Sequence, residues 1–225
     1  MRGRETKRLP KDVRRSKILE VATELFSKNG MSFTTRDLAN AVGVTQPLIF
    51  QHFETKEDLV DAIYLEQFEN LFDDAWISDL EDRSVSLYQR LVRFYEKYTE
   101  VVFEEKWMRV YFWSALEGAE INKRYTRFVA EHITKPIAVE VAWDVRRARS
   151  GETYAVDGVT DAEFEAIYTA HSGLLYFGMR KYLFQDAPDI DRTQIIHDCV
   201  ASMLHGAPSV VQTYLSRSLG AAPPY

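Results

Sequence analysis

The sequence predicts an all-α chain, a small three-helix head on a larger helical body, and three observations lead there. Helix-start signals recur: Thr34 with Asp37, Thr55 with Asp58 and Thr160 with Glu163 stand at the spacing in which a hydroxyl and a carboxylate satisfy each other's backbone N–H groups. Apolar side chains return every three or four residues, as in Ile18, Val21, Ala22, Leu25 and Phe26, the period that gives a helix one buried face. No segment shows a convincing alternation of apolar and polar residues, so no strand is expected.

Residues 1–10 read as a basic arm without fixed structure, with order beginning at Pro10. The first helix spans about Asp12 to Lys28 and stops at Asn29-Gly30. Thr34 opens a second helix, which ends in Ala41-Val42-Gly43-Val44; Gly43 can take the left-handed backbone that turns the chain sharply. A third helix starts at Thr45 with Pro47 in its first turn, where no intrahelical N–H is needed. Leu38, Val42, Ile49 and Phe53 give these short helices an inward side. Two helices joined by a tight Gly-containing turn are a helix-turn-helix, whose second helix suits the DNA major groove.

The residues left outward fit that task. Gln46 and Gln51 carry paired donor and acceptor for a base edge, Pro47 offers an apolar surface to a thymine methyl, and His52 reaches a base or phosphate. Thr35 and Arg36 are placed for a phosphate and a guanine edge, and Lys56 joins the free N–H groups of the next helix start in holding a phosphate.

Over about residues 14–65 this pattern resembles the tetracycline-repressor (TetR) family of bacterial regulators, on Thr35-Arg36, the Gly43-Val44 turn, Gln46-Pro47, and His52-Phe53 followed by Lys56. The resemblance implies a DNA-binding head at 11–55, a ligand-binding and dimerisation body at 56–225, and a site made of Thr35, Arg36, Thr45, Gln46, Pro47, Leu48, Phe50, Gln51, His52 and Lys56. Phe50 stands where many members have tyrosine, so a hydroxyl contact to phosphate is missing. Leu48 replaces a residue that is often small.

Composition sets further bounds. The net charge of −6 is unevenly spread: residues 1–60 hold eleven Lys/Arg against eight Asp/Glu, whereas the rest of the chain is strongly acidic. A basic head neutralises phosphates while an acidic body stays off the duplex. The single cysteine, Cys199, excludes an internal disulfide and fits a reducing cytoplasm; no apolar signal region or membrane span is expected.

With no Pro or Gly after Lys56, one continuous helix is expected from there towards Trp76, a rod linking head and body. Further helices are expected at about 84–105, from Trp107 to Gly118, and at 122–149, the last kinked or divided by Pro136. Residues 150–158 read as a loop. Two long helices close the chain, at about 160–186 and 191–218, the latter capped by Asp191 with Gln194 and bent at Pro208. Small residues such as Gly173 and Gly178 among their apolar ones suit a four-helix bundle with a second copy, where the resemblance also places the dimer interface.

The middle of the chain is rich in aromatic residues. The resemblance implies a small-molecule effector site in the body, and Phe72, Trp76, Phe94, Tyr98, Trp107, Tyr111, Phe128, His132, Tyr168 and His171 are its candidate lining, suited to an apolar or aromatic compound. The expected partners are therefore an operator duplex, an effector and a second copy, with no cofactor. An enzyme is the rival class, but metal-ligand spacings, a nucleophile elbow and a Gly-rich phosphate loop are all lacking. A helical protein-interaction bundle with a degenerate head is the other alternative.

Overall fold

A computed structural model describes residues 10–116, 120–150 and 158–218, and every regular element in them is helical. The arm and the loop expected from sequence lie outside the described residues, apart from Pro10, Gly158 and Ser150, and Ser150 is the last residue of a helix rather than part of a loop. The chain forms two compact units: residues up to Leu71 with Arg109–Asn122, and Phe72–Met108 with the remainder.

In the first unit, α1 (Lys11–Asn29) packs on α2 (Thr35–Val42) and α4 (Lys56–Gln67), and α2 packs on α3 (Gln46–Phe50). Thr34 accepts from the Asp37 N–H while Asp37 accepts from that of Thr34, and Thr55 and Asp58 repeat the arrangement. Gly43 ends α2 with φ 78° and ψ 37°, the left-handed conformation that the turn into α3 requires. Ile18, Phe26, Leu38, Ile49, Leu59 and Ile63 are all at most 1% exposed. Each contributes about 1.5–3 kcal/mol by leaving water, enough to hold a five-residue helix that could not stand alone. The compact unit that carries the three head helices also includes α4 and extends to Leu71.

The expected rod does not form. α4 stops at Gln67, Phe68 leaves helical geometry with φ −125° and ψ −64°, a 3₁₀ turn covers Glu69–Leu71, and a new helix, α5, spans Ala75–Glu81. Beyond the break, Asp73 accepts the Ala75 N–H at 2.9 Å at the start of α5, the local bond by which Asp and Asn favour turns.

The second unit is built on α6 (Leu87–Val102), α9 (Lys135–Ser150), α10 (Asp161–Met179) and α11 (Arg192–Ser218), with α5 against α6 and α9. Between α6 and α9 in the chain, α7 covers Glu105–Leu116 and α8 Glu120–Val129. The helix expected at 122–149 is divided as Pro136 requires. A π-helical turn over Ala130–Thr134 joins α8 to α9, the Lys135 N–H reaching back to Ala130 just before the residue that has no N–H to give. A second π turn, Arg180–Phe184, ends at Gln185 in left-handed conformation, φ 56°. α11 runs unbroken through position 208. Asp191 caps it through the Thr193 N–H at 2.8 Å, while the Gln194 side chain turns instead to Asp198.

Arg90 and Glu140 are each 2% exposed and bonded at 2.6 Å; Arg83 holds the other carboxylate oxygen at 2.8 Å and lies over the Trp143 ring. Arg90 also donates to the carbonyls of Leu80 and Val85, so one guanidinium closes the α5–α6 turn against α9.

Candidate nucleic-acid interface

α3 has one buried residue, Ile49, and that anchor decides what the others present. Gln46, Pro47, Phe50 and Gln51 are exposed, Phe50 by 42%, and Leu48 is half-buried. On a helix, residues four apart share a face, so Gln46 lies over Phe50 and Pro47 over Gln51. The outward surface is thus a patch of two glutamines and two apolar residues. Thr45 sits at the N-cap of α3, exposed and without a side-chain capping bond.

At the start of α2, Arg36 is exposed and Thr35 half-buried. Oγ1 of Thr35 accepts from Nε2 of Gln46 at 2.6 Å, bridging residues eleven apart in sequence. The Nζ of Lys56 donates to the carbonyls of Met31 and Phe33, the latter at 2.7 Å, and stands 4.6 Å from the Phe33 ring centroid. It ties the start of α4 to the α1–α2 connection.

Sequence reasoning left the first turn of α1 out of the interface residues, although its charge was plain. Burial lowers the His52 pKa, and the positive charges of Lys11, Arg14 and Arg15 lower it further, which sets those three cations beside the end of α3. The Arg15 guanidinium lies 4.8 Å from the centre of the Phe53 ring. Nδ1 of His52 is buried without a hydrogen-bond partner. A positive rim on a polar and apolar reading surface can hold phosphates at its margin and base edges at its centre.

In the second unit the structure gathers most of the candidate effector-site residues. Phe72 meets both Trp76 and Phe128, Trp76 meets Phe94, Phe94 stacks on Tyr98, and Tyr98 lies against His171, with ring centres 5.1–6.3 Å apart. His132 stacks on Phe128 but is exposed. Trp107 joins through Tyr125, whose hydroxyl is 3.2 Å from that of Tyr98. Tyr168 packs on Phe164, and Tyr111 pairs with Phe112 inside the first unit. Tyr95 and Tyr125 were missing from the sequence candidates. Tyr95 lies four residues after Leu91 and seven before Val102, a spacing that would have placed it on the same helix face. Its hydroxyl is 3.2 Å from Nδ1 of His171, and burial lowers the His171 pKa to about 4, so the imidazole is neutral at physiological pH.

On α10 and α11, Gly173, Leu174, Phe177, Ile195, Asp198, Cys199 and Ser202 line an open cleft of about 240 Å³, and Tyr176 and Phe184 are more than half exposed. Among the described residues no group of three or more His, Cys, Asp or Glu could hold a metal ion, and no helix is long and apolar enough to cross a membrane.

Fold and surface together define a helix-turn-helix head carried by a helical body. Residues 18–63 match the family model described as bacterial regulatory proteins, tetR family. The head thus carries that family's N-terminal domain. The chain is 38% identical over 63 residues to the HTH-type transcriptional repressor KstR2 of Rhodococcus jostii, covering 28% of this chain and 31% of that protein. To the HTH-type transcriptional regulator LuxR of Vibrio harveyi it is 27% identical over 133 residues, covering 56% and 61%. The chain thus spans less than two thirds of these relatives' lengths. A tetR-family transcriptional regulator from Streptomyces coelicolor shares the fold at TM-score 0.62 and 18% identity, covering 94% of this chain and 87% of that one.

Proposed function

We propose that this protein is a dimeric, ligand-responsive transcriptional regulator, a repressor released from a palindromic operator by a small apolar or aromatic molecule. The observation that carries the reading is the outward patch of α3, Gln46, Pro47, Phe50 and Gln51, rimmed by Arg36 and the cations that open α1. Buried Ile49 anchors the helix, and the chemistry of the exposed side chains is that of base-edge recognition. The similarity of the head to regulators, a repressor among them, supports the same reading and speaks against an enzyme.

One five-residue helix covers too few base pairs for specificity, so two heads are needed on adjacent half-sites. The exposed Tyr176 and Phe184 and the open cleft of α10 and α11 support a dimer through the last two helices. The aromatic cluster, with neutral His171 and the hydroxyls of Tyr95, Tyr98 and Tyr125 as its polar groups, supports an uncharged aromatic effector. A ligand that favours one body shape lowers operator affinity only as far as its affinity differs between shapes. With α4 ending at Gln67, the moving part is a short helix whose first residue, Lys56, is bonded into the head, not a rod reaching Trp76.

Fluorescence anisotropy on the DNA upstream of the protein's own gene tests this. Specific binding that weakens with salt, and that an aromatic effector found by thermal shift relieves, is expected. Indifference to that fragment at every salt concentration would favour a protein-interaction bundle.

A further inference from the structure

Lys56 opens α4 at its first position, where a cation faces the positive end of the helix dipole, an unfavourable place for it. The fold compensates. Nζ donates to the carbonyls of Met31 and Phe33, residues 25 and 23 positions earlier, and stands 4.6 Å from the centre of the buried Phe33 ring. Charge-assisted bonds of this kind are about twice as strong as neutral ones, and the ring face adds its own attraction. An ammonium has three N–H donors, so with two given to carbonyls one at most is left for a phosphate.

The two carbonyls sit where the chain turns into α2. Met31 belongs to the 3₁₀ turn Gly30–Ser32 that follows α1, and Phe33 precedes Thr34, the N-cap of α2. Holding both fixes the entry into α2, and α3 packs on α2 in turn. Phe33 is tied twice, to the apolar centre through its ring and to α4 through its carbonyl.

We propose that Lys56 is a positioning residue: its ammonium clasps the α1–α2 connection to the start of α4 and so sets the attitude of α2 and α3, in place of contacting a phosphate. This rests on the DNA-binding reading above. It assigns to the geometry of the head a charge that position alone reads as an electrostatic contact with the duplex.

Three measurements on the full-length protein test the clasp. Acetylation by an N-hydroxysuccinimide ester, followed by peptide mass spectrometry, should modify Lys56 roughly tenfold more slowly than exposed Lys17, because its bonds must open first. In Lys56→Met, which keeps the aliphatic stem, amide exchange over residues 31–37 should accelerate about tenfold, while that over residues 18–26 of α1 changes less than about twofold. A general loss of stability would speed both segments alike and would overturn the proposal. On the DNA upstream of the gene the same variant should bind roughly tenfold more weakly, with a random duplex affected less than about twofold. The slope of log affinity against log salt should stay as in the wild type, whereas loss of a phosphate contact would make it shallower by about 0.9. A Lys56 that acetylates as fast as Lys17, equal losses on both duplexes with the shallower slope, or an unchanged ratio of specific to random binding would each overturn the proposal. A wild-type protein that ignores the upstream duplex sinks the DNA-binding reading and the role given to the clasp with it; a freely reactive Lys56 sinks only this inference.

Discussion

Head and body open helices with the same Thr-x-x-acid box, yet they use it differently. In the head, Asp37 and Asp58 cap α2 and α4 at the surface, and the box does no more than start a helix. In the body, Glu163 caps α10 and is also 4% exposed and bonded to Arg146 of α9 at 2.8 Å. The head is assembled from local signals closed over a small apolar centre. The body is locked by polar groups from distant parts of the chain, Arg83, Arg90, Glu140, Arg146 and Glu163, of which Arg90, Glu140 and Glu163 are buried. A recognition surface needs only rigid presentation, which caps and one anchor supply. Holding a large helical body in one arrangement takes non-local contacts.

The contrast can be broken most severely at Glu140. Glu140→Ala leaves the Arg90 guanidinium buried without its carboxylate and should cost about 3–5 kcal/mol in urea unfolding. A loss below about 1 kcal/mol would show that the cluster is incidental. His171 comes next. Its folded pKa, about 4, lies below the unfolded value near 6.5, so its contribution is complete above pH 6.5 and is lost as pH falls towards 4. Wild-type stability should drop by roughly 2–3 kcal/mol more than that of His171→Asn over this range, and parallel pH profiles would refute the assignment.

Smaller effects sharpen the same comparison. Gly178 lets α10 approach the chain below it: an added Cβ would stand 2.2 Å from Cε of Met108 and 2.8 Å from Cε1 of Phe103. Gly178→Ala should therefore destabilise by about 1–3 kcal/mol, visible as a lower melting temperature. In the head, Thr55→Ala removes one cap and should cost about 1 kcal/mol. At the far end of the scale, Gln185→Gly relieves a left-handed residue at a π-turn exit and should gain roughly 0.5 kcal/mol in chemical denaturation.

Much of the head was legible because its determinants are close in sequence. A hydroxyl three residues before a carboxylate, a glycine after an apolar helix end and a proline in a first turn act through the backbone within a few residues. The capping boxes at Thr34, Thr55 and Thr160, the left-handed Gly43 and the division at Pro136 followed from such rules. The end of α4 did not, because no proline or glycine marks it. Lys56 was also read from its position alone, and only the folded head shows its ammonium turned onto the carbonyls of Met31 and Phe33. Of the aromatic candidates, Phe72, Trp76, Phe94, Tyr98, Phe128 and His171 do meet, whereas Tyr111 belongs to the other unit.

The sequence by itself determined that the chain is helical, where most helices begin, and which short helix turns its polar residues outward, since each of these depends on backbone and periodicity within a few residues. Tertiary structure alone decided which partner the Gln46 amide meets, which charges are buried together and which aromatic rings touch. Those outcomes need side chains from separate helices in one place, and a string of residue types carries no distances between them.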